Sequence, residues 1–95
     1  MPRDALYIAC YDITDTHERN RVADVFGGYG MRVQKSVFEC RLSHSKRSKL
    51  LDALTKLDLK TGFVYLYKLD ASAKRLSAGA LPQEPFSEDK FTYQV

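Results

Sequence analysis

The 95 residues hold 15 Lys and Arg against 12 Asp and Glu, a formal charge of +3, and 44% of them are hydrophobic. So short a chain is one small domain with a limited core, its composition excludes general disorder, and its charge permits a phosphate-bearing partner without requiring one. Cys10 and Cys40 lack a C-x-x-C partner or a histidine at ligand spacing, which excludes a structural zinc site and reads as reduced packing thiols.

In chain order, residues 5–12 form the first predicted strand. Leu6-Tyr7-Ile8-Ala9-Cys10-Tyr11 is continuously apolar rather than alternating, the pattern of a strand covered on both faces. Helices in a domain this small cover one face, so a second copy of the chain is the expected cover for the other. The run closes on Asp12, a carboxylate held at a rigid strand end. Asp15-Thr16-His17-Glu18 fits a capping box with Asp15 as N-cap and Glu18 reaching back to it. Val22, Val25, Phe26 and Tyr29 make one apolar stripe, predicting a helix over residues 16–28, with Gly30 suited to a left-handed cap.

Residues 31–42 are extended, with Gln34, Ser36, Phe38, Cys40 and Leu42 on one side and Val33, Lys35, Val37, Glu39 and Arg41 on the other. Periodicity alone allows one long strand or two short ones turned near Gln34-Lys35-Ser36. Ser43 is the next N-cap, and Leu50, Ala53, Leu54 and Leu57 form a second helical stripe broken at Thr61-Gly62. Residues 63–69 are the clearest strand in the chain. A short strand around residues 75–78 is expected, and Phe91-Thr92-Tyr93-Gln94-Val95 reads as an added edge strand for a partner subunit. The order predicts an α+β, ferredoxin-like βαββαβ sandwich with an extra C-terminal strand. Residues 1–95 form the single domain, residues from about 70 onward its C-terminal extension, and the homodimer packs through the sheet faces. No segment spans a bilayer and the N-terminus lacks the apolar region of a signal peptide, so a cytoplasmic protein without membrane contact is expected.

Among candidate functional residues, Asp12 is either a local turn carboxylate or a ligand for magnesium, which retains waters and needs only one or two carboxylates when phosphate supplies the rest. Two copies of the chain would bring two such carboxylates. Arg19 and Arg21 point to different faces of the first helix, either as phosphate contacts or as solvated partners of Glu18 and Asp24. Arg32 and Lys35 lie on the next strand. Lys46-Arg47-Ser48-Lys49 places cations at a helix start, unfavourable for the helix dipole and suggestive of an external anion. Ser36 and Phe38 are core or interface residues by pattern. His17 and His44 are loose surface residues, and no Gly-rich phosphate loop is present.

Tyr11-Asp12-Ile13-Thr14-Asp15, Arg19-Asn20-Arg21-Val22 and the run from Gly30 to Leu42 closely resemble the CRISPR-associated protein 2 family over residues 5–43. The resemblance implies a ferredoxin-like homodimer in which Asp12 of both subunits binds a shared Mg2+, with Mn2+ as an alternative. It further implies that active members hydrolyse phosphodiester bonds of RNA or double-stranded DNA. Tyr11, Arg19, Arg21, Arg32 and Phe38 match positions linked to activity or nucleic-acid contact in that family, and Lys46, Arg47 and Lys49 extend the expected nucleic-acid surface. The family also partners the CRISPR-associated protein 1 integrase in spacer acquisition. A non-catalytic DNA-binding scaffold for that integrase is therefore the alternative. A toxin ribonuclease related to virulence-associated protein D is a more distant one, and a small-molecule-binding regulator of the same fold the fallback.

Overall fold

The structure, a computed structural model, describes residues 4–80. The elements follow in the order β1 (Ala5–Ile13), α1 (Thr16–Gly27), β2 (Gly30–Gln34), β3 (Val37–Leu42), α2 (His44–Lys56) and β4 (Gly62–Leu69). The strands make one four-stranded antiparallel sheet in the order β2-β3-β1-β4, with both helices on one face. That is the predicted βαββαβ sandwich. The extended segment after Gly30 is two strands: the ladder shifts register between Arg32 and Gln34, then turns before Val37. The predicted tail strand at residues 91–95 lies outside the described residues. Among the described residues, no helix is long and apolar enough to cross a membrane.

Alternation along β1 separates two environments. Tyr7, Ala9, Tyr11 and Ile13 point under the helices and are buried with Val22, Phe26, Phe38, Cys40, Leu42, Leu50 and Leu54. Each fully buried aliphatic or aromatic side chain there contributes roughly 1.5–3 kcal/mol relative to exposure. Among the described residues, no helix packs on the opposite face. It carries Leu6, Ile8, Cys10 and Asp12 on β1, in register with Leu69, Tyr67, Tyr65 and Phe63 on β4. The three β4 aromatics are about half exposed and form a ladder with ring centroids 5.0 and 6.1 Å apart. The uniform apolarity of β1 thus reflects a core on one side and an apolar sheet face on the other that the described residues leave open. The two thiols divide between these faces. Cys40 is fully buried, and burial, with a contribution from Glu39, pushes its pKa up to about 11; Cys10 is half-buried on the open face.

Two local expectations are corrected. Gly30 is not a left-handed cap: the α1 C-cap is Gly28, in right-handed helical conformation, and Gly30 opens β2 opposite Cys40. A Cβ at Gly30 would meet the Glu39 carbonyl oxygen, the Cys40 sulfur at 2.6 Å and the Cys40 Cα at 2.9 Å. Glycine is needed for close approach, not for dihedral freedom. Gly30→Ala should destabilise the fold by about 1–3 kcal/mol, the range of core overpacking, read as a lower denaturation midpoint at constant slope. An unchanged midpoint would refute this account. The short strand expected around residues 75–78 is also absent. Leu76 is 89% exposed, so the segment has no apolar face to bury, and Arg75 instead pairs with Glu39 at 2.7 Å.

The α1 capping box is half formed. Asp15 caps as expected, accepting the Glu18 N–H at 2.9 Å, but Glu18 does not reach back to Asp15. Its carboxylate accepts the Lys60 and Thr61 N–H groups at 2.9 and 3.0 Å and the Thr61 hydroxyl at 2.7 Å. These bonds, the Thr61 hydroxyl first, hold the Glu18 carboxyl below its ordinary pKa, with a further contribution from the Arg21 charge. A depressed folded-state pKa contributes stability that is complete above the ordinary value of 4.5 and lost as pH falls through the folded value. The stability of Glu18→Gln should therefore fall less than that of wild type on acidification below 4.5, measured by denaturant titration at stepped pH. Parallel acid limbs for the two proteins would contradict this.

Candidate functional site

Asp12 is the last outward-facing residue of β1 before the turn into α1. Its carboxylate is exposed and makes no hydrogen bond or ion pair among the described residues. The turn behind it is tightly organised. Arg19 donates from one terminal nitrogen to the Ile13 and Thr14 carbonyls at 3.1 and 2.9 Å, and from the other to the Thr16 hydroxyl at 2.9 Å. Thr61 supplies acceptors for the Thr14 and Asp15 N–H groups at 3.1 and 3.0 Å. A free acid therefore stands on a fixed base.

On the helix side of the same strand end, Tyr11 lies with its ring centroid 6.0 Å from that of Phe26 and 6.5 Å from that of Phe38. Its hydroxyl donates to the Lys35 carbonyl at 3.2 Å and accepts from Arg32 at 3.2 Å. The Arg32 guanidinium sits over the Phe38 ring, 5.2 Å from its centroid, a cation–π contact. Its Nε is buried and finds no acceptor among the described residues. An unpaired buried donor of this kind is unfavourable until an acceptor arrives. Tyr11, Asp12, Ile13, Arg19, Asn20, Arg32, Lys35 and Ser36 line one notch. The structure thus brings Tyr11, Asp12, Arg19 and Arg32 together. Phe38 is 4% exposed and serves as the platform beneath Arg32. Arg21, half-buried on α1, is outside the notch, where its charge acts on Glu18. Lys35, Asn20 and Ser36 join the lining, and their place follows from the β2–β3 turn and the first turns of α1.

The basic start of α2 lies elsewhere. Arg47 donates to the Tyr7 hydroxyl at 3.0 Å and contacts the His44 ring at 2.9 Å, while Lys46 and Lys49 are exposed. Tyr7 and Tyr11 are four residues apart on β1, roughly 13 Å at 3.3 Å per residue. Each tyrosine hydroxyl thus accepts from an arginine at its own end of the sheet. Lys46, Arg47 and Lys49 are separate from the Asp12 notch within one chain.

Among the described residues, no three His, Cys, Asp or Glu side chains converge on one point. Asp15 is committed to its cap and Glu18 to the Lys60–Thr61 loop, so Asp12 alone presents an uncommitted carboxylate at this strand end. One hard, unpaired oxygen donor fits a magnesium ion that keeps most of its waters.

A sequence profile of the family described as CRISPR associated protein Cas2 matches residues 5–75. A CRISPR-associated endoribonuclease Cas2 of Synechocystis is 52% identical over 52 residues, 55% of this chain and 56% of that relative, so the match spans little more than half of it. A CRISPR-associated endonuclease Cas2 of Thermus thermophilus is 36% identical over 83 residues, 82% of this chain and 88% of the relative. Among solved structures, a hypothetical protein from Thermus thermophilus superposes with a TM-score of 0.71 at 33% identity, over 84% of this chain and 99% of that one.

Proposed function

The chain belongs to the CRISPR associated protein Cas2 family, and from that premise we propose that it is a divalent-metal-dependent endonuclease acting on phosphodiester bonds of RNA or double-stranded DNA. The observation that carries this reading is the free Asp12 carboxylate on its braced strand end, beside a notch holding an arginine with an unpaired buried donor. The names of the relatives, endoribonuclease and endonuclease, support the same reaction class.

Asp12 lies on the uncovered sheet face. When two chains pack through that face, two Asp12 carboxylates would hold one Mg2+, or Mn2+ in its place. The bound ion supplies polarisation of a phosphate oxygen and acidification of a water. The chain's own groups do the rest. Arg32, pinned by the Tyr11 hydroxyl and the Phe38 ring, offers its remaining donors to a phosphate at a fixed place. Lys35 adds positive charge to the notch, and Arg19 keeps the turn rigid while its outer edge remains polar. Such contacts address the sugar-phosphate backbone and carry little base information, so cleavage should be tolerant of sequence. Purified protein assayed on RNA and duplex DNA, with Mg2+ and with chelator, tests the reading directly. Cleavage that survives chelation would exclude it.

A second reading is favoured by the exposed cations of α2. Lys46 and Lys49 stand at the far end of the sheet from Asp12, where they extend a basic track without contributing to the acidic centre. In that reading the dimer is a duplex-binding scaffold that docks the CRISPR-associated protein 1 integrase in spacer acquisition, and Asp12 is dispensable for it. Duplex affinity that falls with salt is expected of both readings, whereas normal spacer integration by an Asp12→Asn variant would support the scaffold.

A further inference from the structure

We propose that Thr61, anchored by Glu18, is a positioning residue for Asp12, so that a threonine hydroxyl in the α2–β4 loop governs the reactivity of the acid at the end of β1. The inference rests on the nuclease reading. Because the Asp12 carboxylate has no bonding partner among the described residues, its placement is fixed by the backbone on either side. Upstream, the β1–β4 ladder pairs Asp12 with Phe63. Downstream, the free N–H groups of the turn converge on one residue: Thr14 donates to the Thr61 carbonyl and Asp15 to the Thr61 hydroxyl oxygen.

Thr61 is held in turn. Its N–H and its hydroxyl both donate to Glu18 Oε1, while the Lys60 N–H donates to Oε2. The hydroxyl therefore acts as acceptor toward the turn and donor toward the helix, a dual role that valine cannot fill and serine can. The next residue, Gly62, runs so close to β1 that a Cβ there would meet the Asp12 carbonyl oxygen and lie 2.6 Å from the Ile13 Cα. The residue that follows Thr61, the first of β4, thus runs in close approach to the backbone of the acid that Thr61 is argued to place.

These groups are exposed to solvent, where water competes for the Asp15–Thr61 bond and screens the charge-assisted bond from Thr61 to the Glu18 carboxylate, so the clasp contributes less to stability than the buried core. The core holds the fold; the clasp sets a geometry. Its loss should appear in chemistry more than in melting temperature, since a misplacement near 1 Å can lower rates by about 100-fold.

The test compares full-length Thr61→Val, Thr61→Ser and Val22→Ala, the last a buried core truncation on α1 that serves as a stability control. Cleavage kinetics, melting temperature and Mn2+ affinity by electron paramagnetic resonance are measured for each. Thr61→Val should lower kcat by about 10-fold or more with KM little changed, and weaken Mn2+ binding. Thr61→Ser should restore both. Val22→Ala should melt at least as early as Thr61→Val yet keep wild-type kcat and Mn2+ affinity. Thr61→Val behaving like Val22→Ala, or serine failing to rescue, overturns the proposal. If wild type does not cleave, the nuclease reading falls alone, and Mn2+ affinity still judges the clasp: weakened in Thr61→Val it stands, unchanged it falls. A wild type that neither cleaves nor binds Mn2+ leaves no site to position and overturns both.

Discussion

On the proposed nuclease reading, Asp12→Asn should abolish metal-dependent cleavage, with an expected loss of about 100-fold or more in kcat, because it removes the one uncommitted carboxylate at the strand end and, in the proposed dimer, does so in both copies at once. Asparagine matches aspartate in shape and keeps an oxygen donor, but it loses the negative charge that supplies most of the attraction for a divalent cation at a site with so few protein ligands. The substitution disturbs nothing else: Asp12 is exposed and has no bonding partner among the described residues. The melting temperature should accordingly stay within about 3 °C of wild type, as for a surface change near ±0.5 kcal/mol. Duplex binding should also persist, since the proposed phosphate contacts are Arg32, Lys35 and the α2 cations rather than Asp12. Wild-type cleavage by the variant would identify a contaminating nuclease and remove the catalytic claim. Normal spacer integration by a cleavage-dead variant would assign the cellular role to the scaffold.

The second large effect is Ile8→Asp. Ile8 sits mid-strand on the open sheet face, between Tyr67 of β4 and Glu39 of β3. An aspartate there adds a charge beside an existing carboxylate, in a surface that the dimer reading takes out of water. An unpaired charge desolvated in this way costs about 3–5 kcal/mol, enough to raise a dimer dissociation constant by roughly 100-fold to several thousandfold. Within a single chain the position is half exposed, so the monomer should still fold, with an unaltered circular dichroism spectrum. Light scattering should show a monomer, and metal-dependent cleavage should fall with it although Ile8 is roughly 13 Å along the strand from Asp12. A stable dimer with full activity would mean that the sheets do not pack through this face.

What the sequence disclosed was local. Asp15 and Ser43 announce their helices because an N-cap bonds three residues ahead, and both bonds form. The split environment of β1 was legible because a strand has period two and nearly every residue of this one is apolar. Glu18 was misread for the same reason: a capping box is a local rule, and the competing partner, Thr61, is 43 residues away. Gly30 was misread because a glycine cluster after a helix looks like a cap, whereas the cause is the Glu39–Cys40 backbone of a neighbouring strand. At the site, Asp12 was identified by its position at a strand end. The engagement of Arg19 with the turn carbonyls and of Arg47 with Tyr7 depends on how the chain closes on itself, and no spacing encodes that.

The unequal setting of the two thiols supplies a chemical reporter for the proposed sheet-face dimer. Cys40, sealed in the core with a pKa near 11, is nearly inert to alkylation at neutral pH, which leaves Cys10 as the reactive sulfur. Cys10 lies between Val37 and Tyr65 on the open face, two residues before Asp12. If the proposed dimer packs through this face, the rate at which an alkylating reagent reaches Cys10 should fall as protein concentration rises, and a rate independent of concentration would count against that packing.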